Sequence, residues 1–416
     1  MSELFLYLFY FLCGGLFLKT VIEPRLIFEY PYFLAGIFII FLVPQTIILY
    51  NQPYLVPNSN LVPIFSMCFL CLGMGALGYY VAPLIKLGNN LNVPLNLHKL
   101  KIVGIIYMAL GYFFLFLINR EIGNSDEEVT QLSGSVTIYF MFFNVIYIAF
   151  PIFLYFSFRK PNFVNILLTV LSALPTLNLI IFAGRREPTA LFVLSIALTM
   201  FYQRGFVPPR AAIIGIIVFA MLIIPAIGDY REKAEEDPWL ALTSLDLQES
   251  FKNYFKVEEN EVLELAVAAH VLDSYSFHGE YTFGASYWNE MVFRYVPGQL
   301  LGTDFKESLY IGERTVVYRN GYQRPPGLTI TGLADSFQQF SYFGFIFFFF
   351  LGGFFRYLWR ISQTEGNLLV QILYMLCVIQ ALLSVTHSTV VFLPGIFFSF
   401  IALWGAALYA KAETEE

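Results

Sequence analysis

Two adjacent arginines, Arg185 and Arg186, stand in the tight stretch Ala183-Gly184-Arg185-Arg186-Glu187-Pro188. A guanidinium is a planar, permanently charged fork that matches phosphate and carboxylate oxygens. Pro188 predicts the first turn of a helix, and a helix N-terminus beside the pair adds a second attraction for anions. The residues therefore point to a clamp for pyrophosphate. The alternative is a turn reaching to lipid headgroups with Glu187 as its local partner.

A second basic group comprises Arg294, Arg314, Arg319 and Arg324. Arg294 lies in the mostly apolar stretch Asn289–Gly298, where it either turns toward a pocket or pairs with Glu290. Arg324-Pro325-Pro326-Gly327 reads as a rigid turn presenting a guanidinium just before an apolar segment. Groups able to take a proton from a hydroxyl are few: four histidines (His98, His270, His278, His387), Glu280 beside His278, and Asp335. Asp335 opens an apolar segment, where a carboxylate is costly unless it faces water or a partner.

Several familiar chemistries are missing. The chain has no Gly-x-Ser-x-Gly elbow, no phosphate-binding Walker loop, no His-Glu-x-x-His and no Asp-x-Asp. Metal-independent chemistry without a cofactor is expected. Cys68 and Cys71 are spaced like a redox or metal pair, but in an apolar run they read as two small residues one helical turn apart. Cys13 and Cys377 likewise fall in apolar runs, and none of the four is expected to be catalytic or disulfide-bonded.

The elements that position these residues follow from composition. Of 416 residues, 58% are hydrophobic and only 13% charged, against roughly 45–50% and 25% in a soluble domain. The mean hydropathy of +0.66 asks for lipid as solvent. A net charge of −6 with no basic stripe excludes nucleic acid as a partner. A membrane crossing takes about 20 apolar residues. About eleven such segments are read: Leu4–Leu18, Phe33–Tyr50, Leu61–Val81, Ile102–Ile118, Val136–Phe158, Phe163–Ala183, Thr189–Tyr202, Ala211–Ile227, Leu333–Tyr357, Leu368–Thr386 and Val390–Ala410. The first lacks a basic n-region and a clear cleavage site, so it reads as a retained span.

With the N-terminus outside, the inner loops and tail carry twelve Lys/Arg and the short outer loops only Arg120, Arg185 and Arg186. The fold class expected is thus an all-α polytopic membrane protein, N-out and C-in. Residues 1–228 hold eight spans, 229–332 form one large periplasmic loop, 333–410 hold three more spans, and 411–416 are a cytoplasmic tail. The loop is acidic and rich in Gly, Pro, Trp and Tyr, which argues for ordered structure. Within it, 257–276 reads as an amphipathic helix, with Val262, Leu265, Ala269 and Leu272 on one face. Such a helix either lies on the membrane or caps a cavity.

The chain resembles bacterial O-antigen and oligosaccharide repeat-unit polymerases of the Wzy type. Gly184-Arg185-Arg186 opening a span is similar to that family's Gly-x-Arg at a periplasmic loop. The large outer loop before the last three spans matches its layout. Pro325-Pro326-Gly327-Leu328, Gly332-Leu333-Ala334-Asp335 and Phe340-Ser341-Tyr342-Phe343-Gly344 resemble its small-residue turn, acidic residue and aromatic-x-x-Phe-Gly; the family more often carries Glu at the acidic position. The likeness covers most of the chain as architecture and about 40 residues as motif.

The resemblance implies a GT-C-like glycosyltransferase of the bacterial inner membrane with its site facing the periplasm. It would move a growing glycan from undecaprenyl pyrophosphate to a hydroxyl of the next lipid-linked repeat unit. Arg186 and Arg185 would bind the pyrophosphate, with Arg294 and Arg324 closing over it. Asp335, Glu280 or His278 would activate the acceptor, and Tyr281, Tyr287 and Trp288 would stack on sugar faces. The partners implied are the lipid-linked oligosaccharide, membrane lipids, a chain-length regulator and a flippase. A ligase-like glycosyltransferase acting on lipid A core is the nearest rival. A flippase or other transporter is the rival from another class, against which stand nearly charge-free spans and the absence of a visible repeat.

Overall fold

The computed structural model describes residues 1–56, 60–82, 94–123, 135–234, 238–253, 255, 263–312, 318–325, 328–364 and 366–412. Among them the chain is helical and forms no named strand. Nine helical segments are long and apolar enough to cross a membrane. The first six are α1 (Ser2–Ile22), α2 (Tyr30–Asn51, with a π-turn at Phe38–Leu42), α3 (Leu61–Val81), α4 (Leu97–Gly123), α5 (Val136–Arg159) and α6 (Phe163–Ile181). Two further helices follow, α7 (Arg186–Arg204) and α8 (Arg210–Ala234). The last three crossing segments are Thr331–Ser362, Leu368–Thr386 and Thr389–Ala410.

Eleven crossings were expected, and α7 and α8 make the difference. Both are helices where the hydropathy predicts them, but neither is among the nine. Charges flank α7 at Arg186, Glu187 and Arg204, with Ser195, Thr199 and Gln203 along it, whereas α8 is apolar in sequence from Ala211 to Gly228 and its side chains in that run are described without a break only as far as Ile223. The two are consecutive, so leaving out both does not change which side the later segments lie on.

The long polar segment is itself helical where described. It contains α9 (Glu264–His278) and α10 (Ala285–Tyr295) besides four shorter helices. The start of the expected amphipathic helix, with Val262, lies outside the described residues. The remainder is buried on nearly every side, Leu265 through Ala269 included, and α9 packs on α2, on α3 and on α11 (Thr331–Phe340). It therefore caps the bundle and does not lie flat on a membrane. The Gln45 side chain of α2 accepts from the Leu265 N–H at 2.8 Å, tying the cap to the bundle.

Thr331–Ser362 is not one straight rod. α11 ends at Ser341, which takes φ +54°, and α12 (Phe345–Ser362) follows a 3-10 turn. Thr331 at the other end of α11 takes φ +64°, a rare conformation for a β-branched residue. Its buried hydroxyl has no hydrogen-bond partner among the described residues. Two glycines make this geometry: a Cβ on Gly332 would lie 1.6 Å from the Ser384 carbonyl oxygen, and one on Gly344 2.1 Å from that of Ser336. The chain closes with α13 (Leu368–Thr386), buried along most of its length, and α14 (Phe392–Ala410).

The tightest seam joins α3 and α12. A Cβ on Gly78 would stand 1.9 Å from the Phe349 carbonyl oxygen, and one on Gly352 2.1 Å from that of Gly75. With no side chain between them the two backbones touch, the means by which helices gain packing energy in lipid. Tyr30 stacks on Phe355 beside the seam, with ring centroids 4.4 Å apart.

Candidate functional site

The Arg185–Arg186 turn is built as the sequence predicts. Gly184 takes φ +53°, a left-handed position that suits a residue without Cβ. Arg185 is the N-cap of α7, Arg186 its first residue, and Pro188 lies in the first turn. The turn is pinned by the Arg185 N–H on the Leu179 carbonyl at 3.2 Å and by the Thr189 hydroxyl on the Arg185 carbonyl at 2.8 Å. Both arginine side chains are exposed.

Groups remote in sequence surround this turn. Arg294 of α10 lies within electrostatic reach of Glu187, as does Arg185. Arg294 also binds Glu290 at 2.6 Å, the pairing the sequence offered as one of its two readings, and its side chain is exposed. The positive charge of Arg186 acts on His387, which joins α13 to the turn before α14. Glu187 and His387 each keep surface open to solvent, with neighbouring protein packed around them. Burial lifts the Glu187 carboxyl above its ordinary range, opposed by Arg294 and Arg185. Burial, and next the Arg186 charge, lower the His387 imidazole below its usual value. A neutral imidazole within reach of the Arg186 charge is a proton acceptor at neutral pH.

Asp335 sits on α11 and is 2% exposed. Its Oδ2 accepts from the Thr389 N–H at 2.8 Å, the Val390 N–H at 3.2 Å and the Thr389 hydroxyl. The carboxylate thus caps the 3-10 turn 389–391 that follows His387. Tyr287 of α10 joins the same network, its hydroxyl 2.7 Å from that of Thr389 and one ring face stacked on Phe347. This geometry makes Asp335 and Tyr287 positioning residues for the turn that carries His387. Asp335→Ala strands the buried Thr389 N–H, at about 1–3 kcal/mol, while the Val390 N–H keeps the Ser388 hydroxyl oxygen at 3.3 Å. We expect a lower melting temperature for the purified protein, with Asp335→Asn, which keeps an acceptor, losing much less. Equal melting of all three proteins would remove the capping role.

The other expected site residues divide into those near α10 and those near α9. Trp288 of α10 donates its indole N–H to the Leu309 carbonyl at 2.8 Å and stays half exposed, open to stacking. His278, exposed, and Glu280, partly buried, lie at the end of α9. The Tyr281 ring packs against Phe337 and Tyr275. Arg324 is exposed beside Tyr322, whose ring stacks on His270 of α9. Arg319 pairs with Asp273 at 3.2 Å and covers the Phe277 ring. Arg314 and the Pro326-Gly327 pair lie outside the described residues. The structure therefore gathers Arg185, Arg186 and Arg294, and attaches Arg324, His278 and Glu280 to the α9 cap. Sequence reading counted His387 among the groups able to take a proton but did not join it to the arginines.

All four cysteines are buried and free. Among the described residues no three His, Cys, Asp or Glu gather as a metal site. No family model matches the chain, nor does any curated protein or any solved structure.

Proposed function

We propose that this chain is an integral-membrane glycosyltransferase that polymerises lipid-linked repeat units, taking a growing glycan from undecaprenyl pyrophosphate. The observation that supports this best is the pair of charge relations at the start of α7, where Arg185 and Arg294 both act on Glu187 and Arg186 acts on His387. A departing pyrophosphate gathers negative charge, and fixed cations placed in advance stabilise that charge most. In this reading the arginines hold the leaving group and His387 accepts the proton of the acceptor hydroxyl. The hydroxyl oxygen bonds to the anomeric carbon as the bond to the pyrophosphate oxygen breaks. Trp288 offers an open ring face to a sugar. In this reading the N-terminus is outside and these groups face the periplasm at the bacterial inner membrane.

The test is reconstitution with undecaprenyl-pyrophosphate-linked repeat units. A ladder of products supports polymerisation. Turnover only when lipid A core is added would move the reading to a ligase, and no turnover by folded protein with intact substrate would favour transport.

The lowered His387 pKa sets the expected pH dependence. An imidazole titrates near 6.5 when unperturbed. Held below that in the fold, it stays neutral as pH falls through 6.5, so transfer should decline only at lower pH. The unfolded chain binds more protons there, so stability should also weaken as pH drops below about 6.5. A pH–rate profile of wild type against His387→Gln checks this, and an acidic limb unchanged by the substitution would count against the assignment.

A further inference from the structure

A second charged cavity lies at the opposite end of α7 from the Arg185–Arg186 turn. It has a volume of about 560 Å³, and Gln203 and Gly205 line it where α7 ends. Its cations are Arg25, in the 3-10 turn after α1, and Arg159, the last residue of α5. The remaining polar lining is neutral, including Gln363, Gln371 and Ser362.

The two arginines differ from a neighbour that has a plainly structural task. Arg204 donates to the Phe158 carbonyl at 2.8 Å, as expected of a cation at the end of a helix. Arg25 instead donates to the Gln363 Oε1 at 3.2 Å and lies over the Phe201 ring. Arg159 donates to the Tyr155 hydroxyl at 2.5 Å. Neither forms an ion pair among the described residues, and each guanidinium has five N–H donors. The start of α13 at Leu368 also lines the cavity, so the positive end of that helix's dipole lies at it. Two uncompensated cations, a helix N-terminus and a ring of neutral amide and hydroxyl groups form an anion site.

We infer that this cavity binds a phosphate-bearing ligand, held by Arg25 and Arg159, whether a lipid headgroup or a soluble phosphorylated molecule. The inference stands apart from the donor chemistry at the other end of α7 and does not depend on it.

The experiment uses the full chain in nanodiscs of phosphatidylcholine, with inorganic pyrophosphate and short-chain phosphatidic acid as probes. Native mass spectrometry and melting temperature are the readouts. One saturable equivalent of either probe is expected, pyrophosphate pointing to a soluble source and phosphatidic acid alone to a lipid one. Gln363→Glu is isosteric and places a carboxylate against Arg25, so it should weaken binding at least tenfold without loss of fold. Arg25→Gln with Arg159→Gln should do the same, whereas Lys160→Gln, an exposed charge nearby, should change it less than twofold. Glu365, between Thr364 and Gly366 of the lining, lies outside the described residues. Glu365→Gln is expected to keep or tighten binding. No saturable binding of either probe, equal binding in Gln363→Glu, or loss in Glu365→Gln would each overturn the proposal.

Discussion

Arg186→Ala in folded, reconstituted protein is expected to lower glycan transfer by about 10²- to 10³-fold, the usual effect of removing one preorganised partner of developing charge. The guanidinium stands at the first residue of α7, where the helix N-terminus adds to its field. Arg186→Lys keeps the charge but loses the planar fork, and should fall between the two. Arg294→Ala should cost less, because Glu290 already engages that side chain at 2.6 Å. Product ladders at equal protein, with melting temperatures to show each variant folded, decide the matter. Arg186→Ala with wild-type ladders would remove the clamp and with it the main support for a pyrophosphate donor.

The largest effect on stability is expected at the α3–α12 seam. Glycine inside a helix is ordinarily a weak point, and replacing it by alanine gains about 0.5–1 kcal/mol. At Gly78 and Gly352 the sign should reverse. The new Cβ would lie 1.9 Å and 2.1 Å from a backbone carbonyl oxygen of the facing helix, and a backbone cannot swing aside as a side chain can. Overpacking costs about 1–3 kcal/mol where side chains yield, so these variants should lose about 3 kcal/mol or more and give little monodisperse protein. Two neighbours are controls. Gly353, whose Cβ would meet nothing closer than 3.7 Å, and Gly14, with nothing within 4 Å, should accept alanine without loss. Size-exclusion profiles and melting temperatures of the four alanine variants settle the point. Similar behaviour of all four would mean the seam is looser than its geometry.

What the sequence could and could not reveal divides along physical lines. Lipid selects long apolar runs, so most crossing segments are legible from hydropathy. α7 is harder, because Arg186, Glu187 and Arg204 at its ends and hydroxyl groups along it dilute the signal. The Arg185–Arg186 turn is legible because Gly184 and Pro188 are local punctuation. Its relation to His387 is not, since some 200 residues separate them and only packing of α7 on α13 joins them. Asp335 announces itself as a carboxylate in an apolar segment. Its partners do not, because two of them are backbone N–H groups that any residue would supply. The break at Ser341 is likewise hidden, as serine gives no hint of a positive φ.

The seam between α3 and α12 also restricts traffic. Where Gly78 lies against Phe349 and Gly352 against Gly75, the facing backbones leave no gap for a hydrocarbon tail. Under the proposed function, a lipid-borne substrate would pass around this pair and not between its members. The outward faces of α4 and α6 are paved instead with exposed Phe113, Phe116, Phe163 and Leu167. Under the same proposal these greasy walls would be the surface along which a long isoprenoid slides, its path set by the one door that is closed.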